Sequence, residues 1–370
     1  MRINCLKSDL IEVLNAVDKA VAIKPQTQML GGIYLNVKDN FLEIQATNYS
    51  IGMMSKIPVD AQEDGKLVVL GKKFIEVVRS LSGDTVSINE DSREKLLEIA
   101  SGKSKFSINT IGDPSDFPQV ASKDVLFSFK IRANVLKNLI KKTSFACATD
   151  EGQPIYTGCL FESADDKITV AATNKHRLAM ATGSLYGSSE KFRFVIPRDA
   201  LRIISDMLPD SKDNLINIDY TGKKVAFTID KIFITVRIID GDYPEYRRVI
   251  PPGSDSVVTA NVAGLRSAIE RVSLIAREDS NKKIAFNFTS EYGLELKAAS
   301  AQYGTAEETV SIEKAGAGAN ISFNYSYMMD VLRIVDGDKI KISMRGRFDP
   351  VDIREIDSDE FIYVMTPLRP

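Results

Sequence analysis

EIQATN, residues 43–48, returns as TVAATN, residues 169–174, and the two closing asparagines stand 126 positions apart. One such match is weak, but a shared offset is not. Gly32 in LGGIYLNV (30–37) and Gly158 in YTGCLFES (156–163) are also 126 apart, as are Pro118 closing SDFP and Pro244 closing GDYP. Phe74, in the apolar stripe of GKKFIEVVRSL (71–81), maps by the same offset onto Ala200 in PRDALRIISDML (197–208). Four anchors on one spacing mark an internal repeat. A third copy is fainter: 126 added to Arg198 gives Asn324 in FNYSYMMDVLRIV (323–335), and KIAFNF (283–288) follows the helical pattern 262–276 as GCLFES follows 132–146. The chain therefore reads as three modules, 1–123, 124–252 and 253–370.

Within each copy the periodicity is the same. A first helix carries apolar residues at i, i+3, i+4 and i+7: Leu10, Val13, Leu14 and Val17 in copy one, Leu265, Ala268, Ile269 and Val272 in copy three. Val135, Leu136, Leu139 and Ile140 form the corresponding face in copy two. Strands of period two follow, as in KITVAAT (167–173), where Ile168 and Val170 alternate with Lys167 and Thr169. A second helix and further strands, such as KVAFTI (224–229) and FITVRI (233–238), complete the copy. Each module is thus two helices plus about eight strands, an α+β fold.

The bulk numbers agree with a folded chain. Of 370 residues, 44% are hydrophobic and 26% charged, with a net charge of −2. MRINCLKSDL (1–10) has no apolar h-region and predicts no secretory signal. No stretch approaches the apolar length that a membrane helix needs. Three cysteines, Cys5, Cys147 and Cys159, form neither a disulfide framework nor a zinc knuckle. A reducing, cytoplasmic setting is the expectation.

The six helical patterns, 7–22, 72–81, 132–143, 198–208, 262–277 and 325–336, hold 15 basic and 9 acidic residues, a net of +6 that leaves −8 for everything else. RANVLKNLIKKT (132–143) has four cations and no acid. For any one helix, solvated lysines explain this. As a set, basic helices inside an acidic remainder point to a surface that meets a polyanion.

His176, in TNKHRLAMATG (173–183), is the chain's one histidine. Ordinary packing and binding are both open to it, whereas catalysis would require a nucleophile and an orienting carboxylate. No G-x-S-x-G, phosphate-binding Gly loop, HExxH or spaced Cys/His set is present. Its neighbours Lys175 and Arg177 are cationic, which opposes a metal. For a two-metal nuclease or polymerase site the nearest acidic cluster is DSDE (357–360), better explained as an exposed turn. No catalytic residue, metal or cofactor is expected.

TNKHRLA (173–179), VIPRDALRIISDML (195–208), DGDYPEYRRVIPP (240–252), SGKSKFSINTI (101–111) with DFP (116–118), and the terminal YVMTPLRP (363–370) resemble the bacterial β sliding clamps, processivity subunits of DNA polymerase III. The resemblance runs from the first helix to the last residue, with its motifs in order. It implies a non-catalytic protein: a head-to-tail homodimeric ring of six modules, helices around a hole that holds duplex DNA, sheets outside. At the matching positions it implies DNA contacts by Lys24 and Lys72, with Lys137, Lys141, Arg198 and Arg202 lining the hole. Family aromatics in one DNA-facing loop are replaced here by Pro154 and Ile155. The ring interface would set Phe106 and Ile108 of module one against Leu274 and Ile275 of module three, rimmed by Lys103, Lys105, Glu307 and Glu308.

The resemblance also implies a pocket between modules two and three for short Gln-x-x-Leu-Phe-like segments. Its partners would be the replicative polymerase, clamp loader, repair polymerases, ligase and mismatch-repair proteins. Thr173, His176, Arg177 and Leu178 would form floor and rim, with Pro244, Arg248 and Val249 from the linker. Val364, Met365, Pro367, Leu368 and Arg369 would come from the C-terminal strand, bordered by Tyr156, Asn324, Tyr327 and Met344. Two departures stand out: Asn174-Lys175 replaces the usual Asp-Gly, and Thr366 stands where Met is frequent. A protein-binding adaptor that ignores DNA is the competing reading.

Overall fold

The computed structural model describes residues 1–121, 124–150, 152–186, 190–356 and 358–369. The module boundary at 123, and Asp357 of the acidic DSDE turn, lie outside the described residues. Among the described residues six α-helices form: α1 (Lys7–Val17), α2 (Gly71–Ser80), α3 (Ala133–Thr143), α4 (Arg198–Met207), α5 (Val262–Ala276) and α6 (Tyr325–Ile334). Each lies within a few residues of its predicted segment, because the apolar stripe that defines it is local.

The largest shortfall is the first helix, expected over 7–22. Its α-helical bonding stops at Val17 and tightens into a 3-10 turn, Asp18–Ala20. Val21 is already extended, and the next amide, Ala22, donates to the Leu30 carbonyl (2.9 Å). The predicted stripe of α1 is fully buried: Leu10, Val13, Leu14 and Val17 are at most 1% exposed. Each such side chain contributes about 1.5–3 kcal/mol relative to exposure. In α5 and α6 the first orphan amides are capped by Asn261, which accepts from Gly264 N, and Asn324, which accepts from Ser326 N.

The strand pairs of the described residues are all antiparallel and make four sheets. The molecule forms two compact units, one built mainly from Met1–Ala133 and Asp206–Ile238, the other from Asn134–Leu185, residues 190–205 and the chain from Ile239 onward. The first unit holds a five-stranded sheet and an eight-stranded sheet. In the larger one, Ile51–Pro58 of repeat one pairs with Ile232–Arg237 of repeat two, with Ile51 opposite Val236. The second unit holds a nine-stranded and a four-stranded sheet. There Arg177–Ser184 of repeat two pairs with Phe361–Met365 of repeat three, with Arg177 opposite Met365. The offset of 126 carries Ile51 onto Arg177, so the same strand of each repeat makes the joint. Repeat two gives strands to a sheet in each unit, which is why compactness divides the chain through its middle repeat.

The three cysteines are buried free thiols. Cys147 and Cys159, 12 residues apart in the chain, bring their buried sulfurs to 3.6 Å. Burial pushes the Cys5 thiol up to about 12, with Asp9 adding to the effect, so it stays protonated and behaves as a small apolar group.

Candidate functional site

The Thr-Asn pair that marks the repeat has a backbone reason. Asn174 Oδ1 accepts from the amides of His176 and Arg177 (both 3.1 Å). Thr173 Oγ1 accepts from Lys175 N (3.1 Å) and donates to the Arg177 carbonyl (2.6 Å). These bonds hold Lys175 at φ 76°, a left-handed conformation costly for a side chain with a Cβ. Repeat one builds the same turn. Asn48 Oδ1 accepts from Ser50 N and Ile51 N, Thr47 Oγ1 accepts from Tyr49 N, and Tyr49 has φ 70°.

This turn aims Arg177 inward and His176 outward. The His176 ring is exposed, while its carbonyl accepts from both the amide and the hydroxyl of Thr366 (3.0 Å each), closing the joint between the repeats' strands. Among the described residues no His/Cys/Asp/Glu cluster suits a metal. Arg177 is buried. Its Nη1 donates to Asp330 Oδ2 and its Nη2 to the Phe145 carbonyl, both at 2.5 Å. The guanidinium lies against the Tyr327 ring at 4.5 Å and the Phe145 ring at 5.4 Å. Burial works against its charge, but Tyr363 and Asp330 outweigh that and push its pKa up, so it is permanently cationic. Its Nε is buried with no partner.

Beside Arg177 opens a groove of 240 Å³. Of the residues expected there, Tyr156, Thr173, Arg177, Leu178, Pro244, Val249 and Val364 line it together. Beneath lies an apolar cluster that includes Leu160, Met180, Tyr243, Tyr246 and Ile362. Tyr246 donates to Glu162 Oε1 (2.5 Å), and Arg247 reaches the same oxygen at 2.7 Å, which fixes the linker that brings Pro244 and Val249 to the rim. Val249 remains half exposed, an apolar side chain held out to solvent. Next to the groove is a more polar hollow of 400 Å³ that takes His176 and Tyr327 along with Asp150, Gln153 and Asn174. Tyr156 and Lys175 border both cavities, and the Lys175 ammonium sits 5.2 Å above the Tyr156 ring.

The other expected border residues fall elsewhere. Met344 and Met365 are buried in the sheet at 1% and 0% exposure. Asn324 is spent on capping α6, and the Leu368 amide is bonded to the Ser322 carbonyl. Arg248, Pro367 and Arg369 line neither cavity. Thr366, noted in the sequence only as a departure from the usual Met, lines the groove, as do Glu245 and Tyr246, which were not among the residues expected there. The alternation of a strand separates these groups: with Val364 facing the groove, Met365 must turn away and Thr366 face it again. That signal was present in YVMTPLRP.

The cations expected to meet DNA are not bare. Lys72 pairs with Asp18 (2.5 Å), Lys141 with Asp336 (2.7 Å) and Arg198 with Asp199 (3.8 Å). Lys24 lines a large hollow, Arg202 is exposed, and Lys137 is half buried on α3. Exposed pairs of this kind are worth about 0–1 kcal/mol and exchange readily for another anion. Lys142, counted with the basic face of α3, is instead buried against Glu355.

At the expected interface, Phe106 and Ile108 lie on the edge strand Ser104–Asn109, exposed or half exposed. Leu274 is 60% exposed on α5 and Ile275 half exposed. The rim charges have partners within the chain: Lys105 with Glu98 (3.0 Å), Glu307 with Lys297 (2.8 Å) and Glu308 with Arg271. Lys103 is exposed.

Comparison with known proteins follows this geometry. Residues 1–121, 130–245 and 247–369 match the models for the N-terminal, central and C-terminal domains of the DNA polymerase III beta subunit. A beta sliding clamp of Bacillus subtilis is 29% identical over 379 residues, covering 100% of both chains, and one of Staphylococcus epidermidis is 29% identical over 368 residues, covering 97% of both. The crystal structure of the Bacillus subtilis sliding clamp superposes with a TM-score of 0.95 at 29% identity over 100% of this chain and 99% of that one. A Pseudomonas aeruginosa sliding clamp bound to griselimycin gives a TM-score of 0.93 at 26% identity, with 100% of both chains covered. With its repeats, its two shared sheets and all three domain models accounted for, the chain belongs to the family of DNA polymerase III beta subunits, the β sliding clamps.

Proposed function

We propose that two copies close head to tail into a ring around duplex DNA and hold replication proteins to it by short peptide segments docked beside Arg177. The observation that carries the ring is a pair of open sheet edges. Within the chain, Ile51–Pro58 and Arg177–Ser184 each complete a sheet by pairing with a strand of the next repeat. Their counterpart in repeat three, Gly304–Val310, stands at the edge of the four-stranded sheet, and Ser104–Asn109 of repeat one stands at the edge of the five-stranded sheet. Open edges of this length are a liability unless covered. Joining them between two copies repeats the joint already made twice in each chain, with Phe106 and Ile108 beside Leu274 and Ile275 at its centre. Two such joints close the assembly.

As a member of its family the protein is the polymerase's processivity subunit and not its catalytic one. The modules would run 1–123, 124–252 and 253–370, with Lys24, Lys72, Lys137, Lys141, Arg198 and Arg202 presenting exchangeable charge to phosphates. Phosphate contacts carry no sequence information, which suits sliding. Clamp loader, repair polymerases, ligase and mismatch-repair proteins would compete with the replicative polymerase for one groove. No cofactor is needed, and the setting is the cytoplasm. Among the described residues no helix is long and apolar enough to cross a membrane.

Two measurements test this. The protein should run in solution at twice 40.9 kDa. Loaded onto nicked circular DNA, it should stay bound through gel filtration and be lost when the circle is cut. Retention on linear DNA would point to adhesion, and a protein that binds peptides but never DNA would favour the adaptor.

Lys175 sets a finer expectation. Its ammonium borders the groove, so acidic peptide segments should be preferred. Lys175→Gly suits the left-handed φ and leaves the turn unstrained. It should weaken an acidic peptide by about two- to fivefold at low salt and have little effect at high salt. Equal affinities across the salt titration would remove Lys175 from the recognition.

A further inference from the structure

Two nucleophiles beside the walls of the groove serve none of the roles described so far. Cys147 closes the 3-10 turn Ser144–Ala146, and Cys159 belongs to the strand Gly158–Ala164. Both are buried free thiols with their sulfurs 3.6 Å apart. A disulfide sets its sulfurs about 2.05 Å apart, so about 1.5 Å of travel separates this contact from a covalent bond.

A buried thiol by itself acts as a small apolar group, as Cys5 does. The pair differs in having one fixed and one movable member. Cys159 is held in its sheet opposite Ile196, and the next residue, Leu160, pairs with both Val195 and Ala171. Cys147 ends a single turn, and the chain is already exposed at Thr149. Its neighbours in sequence hold the groove. The Phe145 carbonyl accepts from Arg177 Nη2 (2.5 Å), and the Ala148 amide donates to the Tyr156 carbonyl (2.8 Å). Arg177 and Tyr156 both line the groove. Drawing Cys147 onto Cys159 therefore pulls on two of its walls.

We propose that Cys147 and Cys159 are a modification site, closed to a disulfide by a peroxide, and that the closed form docks peptides more weakly. The Cys147 thiolate attacks one peroxide oxygen, the O–O bond breaks, and a sulfenic acid and water result. The Cys159 sulfur then attacks the Cys147 sulfur, the S–O bond breaks, and the hydroxyl leaves as water with a proton. Two thiols lose two electrons and two protons, which the peroxide takes up as it becomes two waters. Burial, reinforced by Cys147, holds the Cys159 thiol well above its ordinary range, which suits it to the second step rather than the first. Access to Cys147 requires local opening of its turn, so that motion sets the rate. A small thiol reverses the bond by exchange. The covalent step stands alone, whereas its effect on docking rests on the function proposed above.

The test treats the full-length native protein with hydrogen peroxide, alkylates the remaining thiols and weighs the product by mass spectrometry. The parent should yield one cross-link, joining Cys147 to Cys159, with Cys5 still alkylated. Dithiothreitol should restore all three thiols. Titrated with a Gln-x-x-Leu-Phe-like peptide, the oxidised parent should bind about fivefold or more weakly than the reduced parent, and reductant should recover the difference. By the same coupling, saturating peptide should slow the cross-link. Cys159→Ala should form no cross-link and keep its affinity through the peroxide treatment. The comparison of oxidised with reduced parent needs no variant, so a poorly folding Cys159→Ala leaves the test intact. Absence of the cross-link overturns the site, and a cross-link that leaves affinity unchanged overturns its effect on docking. A reduced parent that binds no peptide sinks the docking function instead, while the mass measurement still decides the disulfide.

Discussion

Replacing Arg177 with alanine should lower the melting temperature by about 6–10 °C and weaken peptide docking by tenfold or more, on the order of a hot-spot truncation. The guanidinium fills the space between the Tyr327 and Phe145 rings and satisfies Asp330 and the Phe145 carbonyl. Its loss leaves the half-buried Phe145 carbonyl without this donor and removes the nearer of two cations from Asp330, which keeps only Arg333 at 3.7 Å. Breaking a fully buried pair costs about 3–5 kcal/mol. Asp330 is 32% exposed, so water takes up part of the loss and about 3 kcal/mol is the better figure. Arg177→Lys should rescue little, because one ammonium cannot bridge both acceptors and stack between two rings. Calorimetry and peptide titration on the same samples check both halves. A melting point within two or so degrees of the parent would mean that the side chain is not the clamp its neighbours describe.

The second large effect is at Lys142. Its ammonium is 2.9 Å from both oxygens of Glu355 and 3.2 Å from Asp336, at only 7% exposure. Burial disfavours the charge, but the bonds to Glu355 and Asp336 win and raise its pKa, so at neutral pH the contribution is fully present. Lys142→Met leaves the buried Glu355 carboxylate uncompensated and should destabilise by about 3–5 kcal/mol. Adding Glu355→Gln, which keeps an acceptor for the Asp336 amide, should recover most of that loss. A double variant as unstable as the single one would show that the lysine acts through packing.

The pH dependence has a definite sign. Burial raises the Asp336 carboxyl, but hydrogen bonds from Lys141 and Lys142 outweigh it and hold the group below the ordinary range. A carboxylate depressed in the folded state contributes stability above its unfolded value, near about 3.9, and loses it as pH falls through the folded value. The gap between parent and Lys142→Met should therefore narrow below about pH 4. Melting curves from pH 7 downward decide this, and a gap that widens in acid would contradict it.

Local information was legible in the sequence. The six helices and the stripe Leu10, Val13, Leu14, Val17 follow from 3.6-residue periodicity. The threefold repeat follows from anchors such as Asn48 and Asn174, whose side chains close the turn within a few residues of themselves. Much of the groove was readable too, because Thr173, Arg177, Leu178, Pro244 and Val364 come from continuous motifs. Met365 was misplaced although strand alternation predicts its direction.

What only the tertiary structure decided involves partners far apart in the chain. RANVLKNLIKKT contains no acid, yet Asp336 and Glu355 fold back onto Lys141 and Lys142 from 195 and 213 residues away. A count of charges along the helix therefore overstated its basic face. The hollow at Lys24 exists because Lys224 and Arg237 arrive on strands of the next repeat, opposite each other. Short-range geometry is written in neighbouring residues, whereas the sign and depth of a site depend on which distant side chains the sheet register brings beside it.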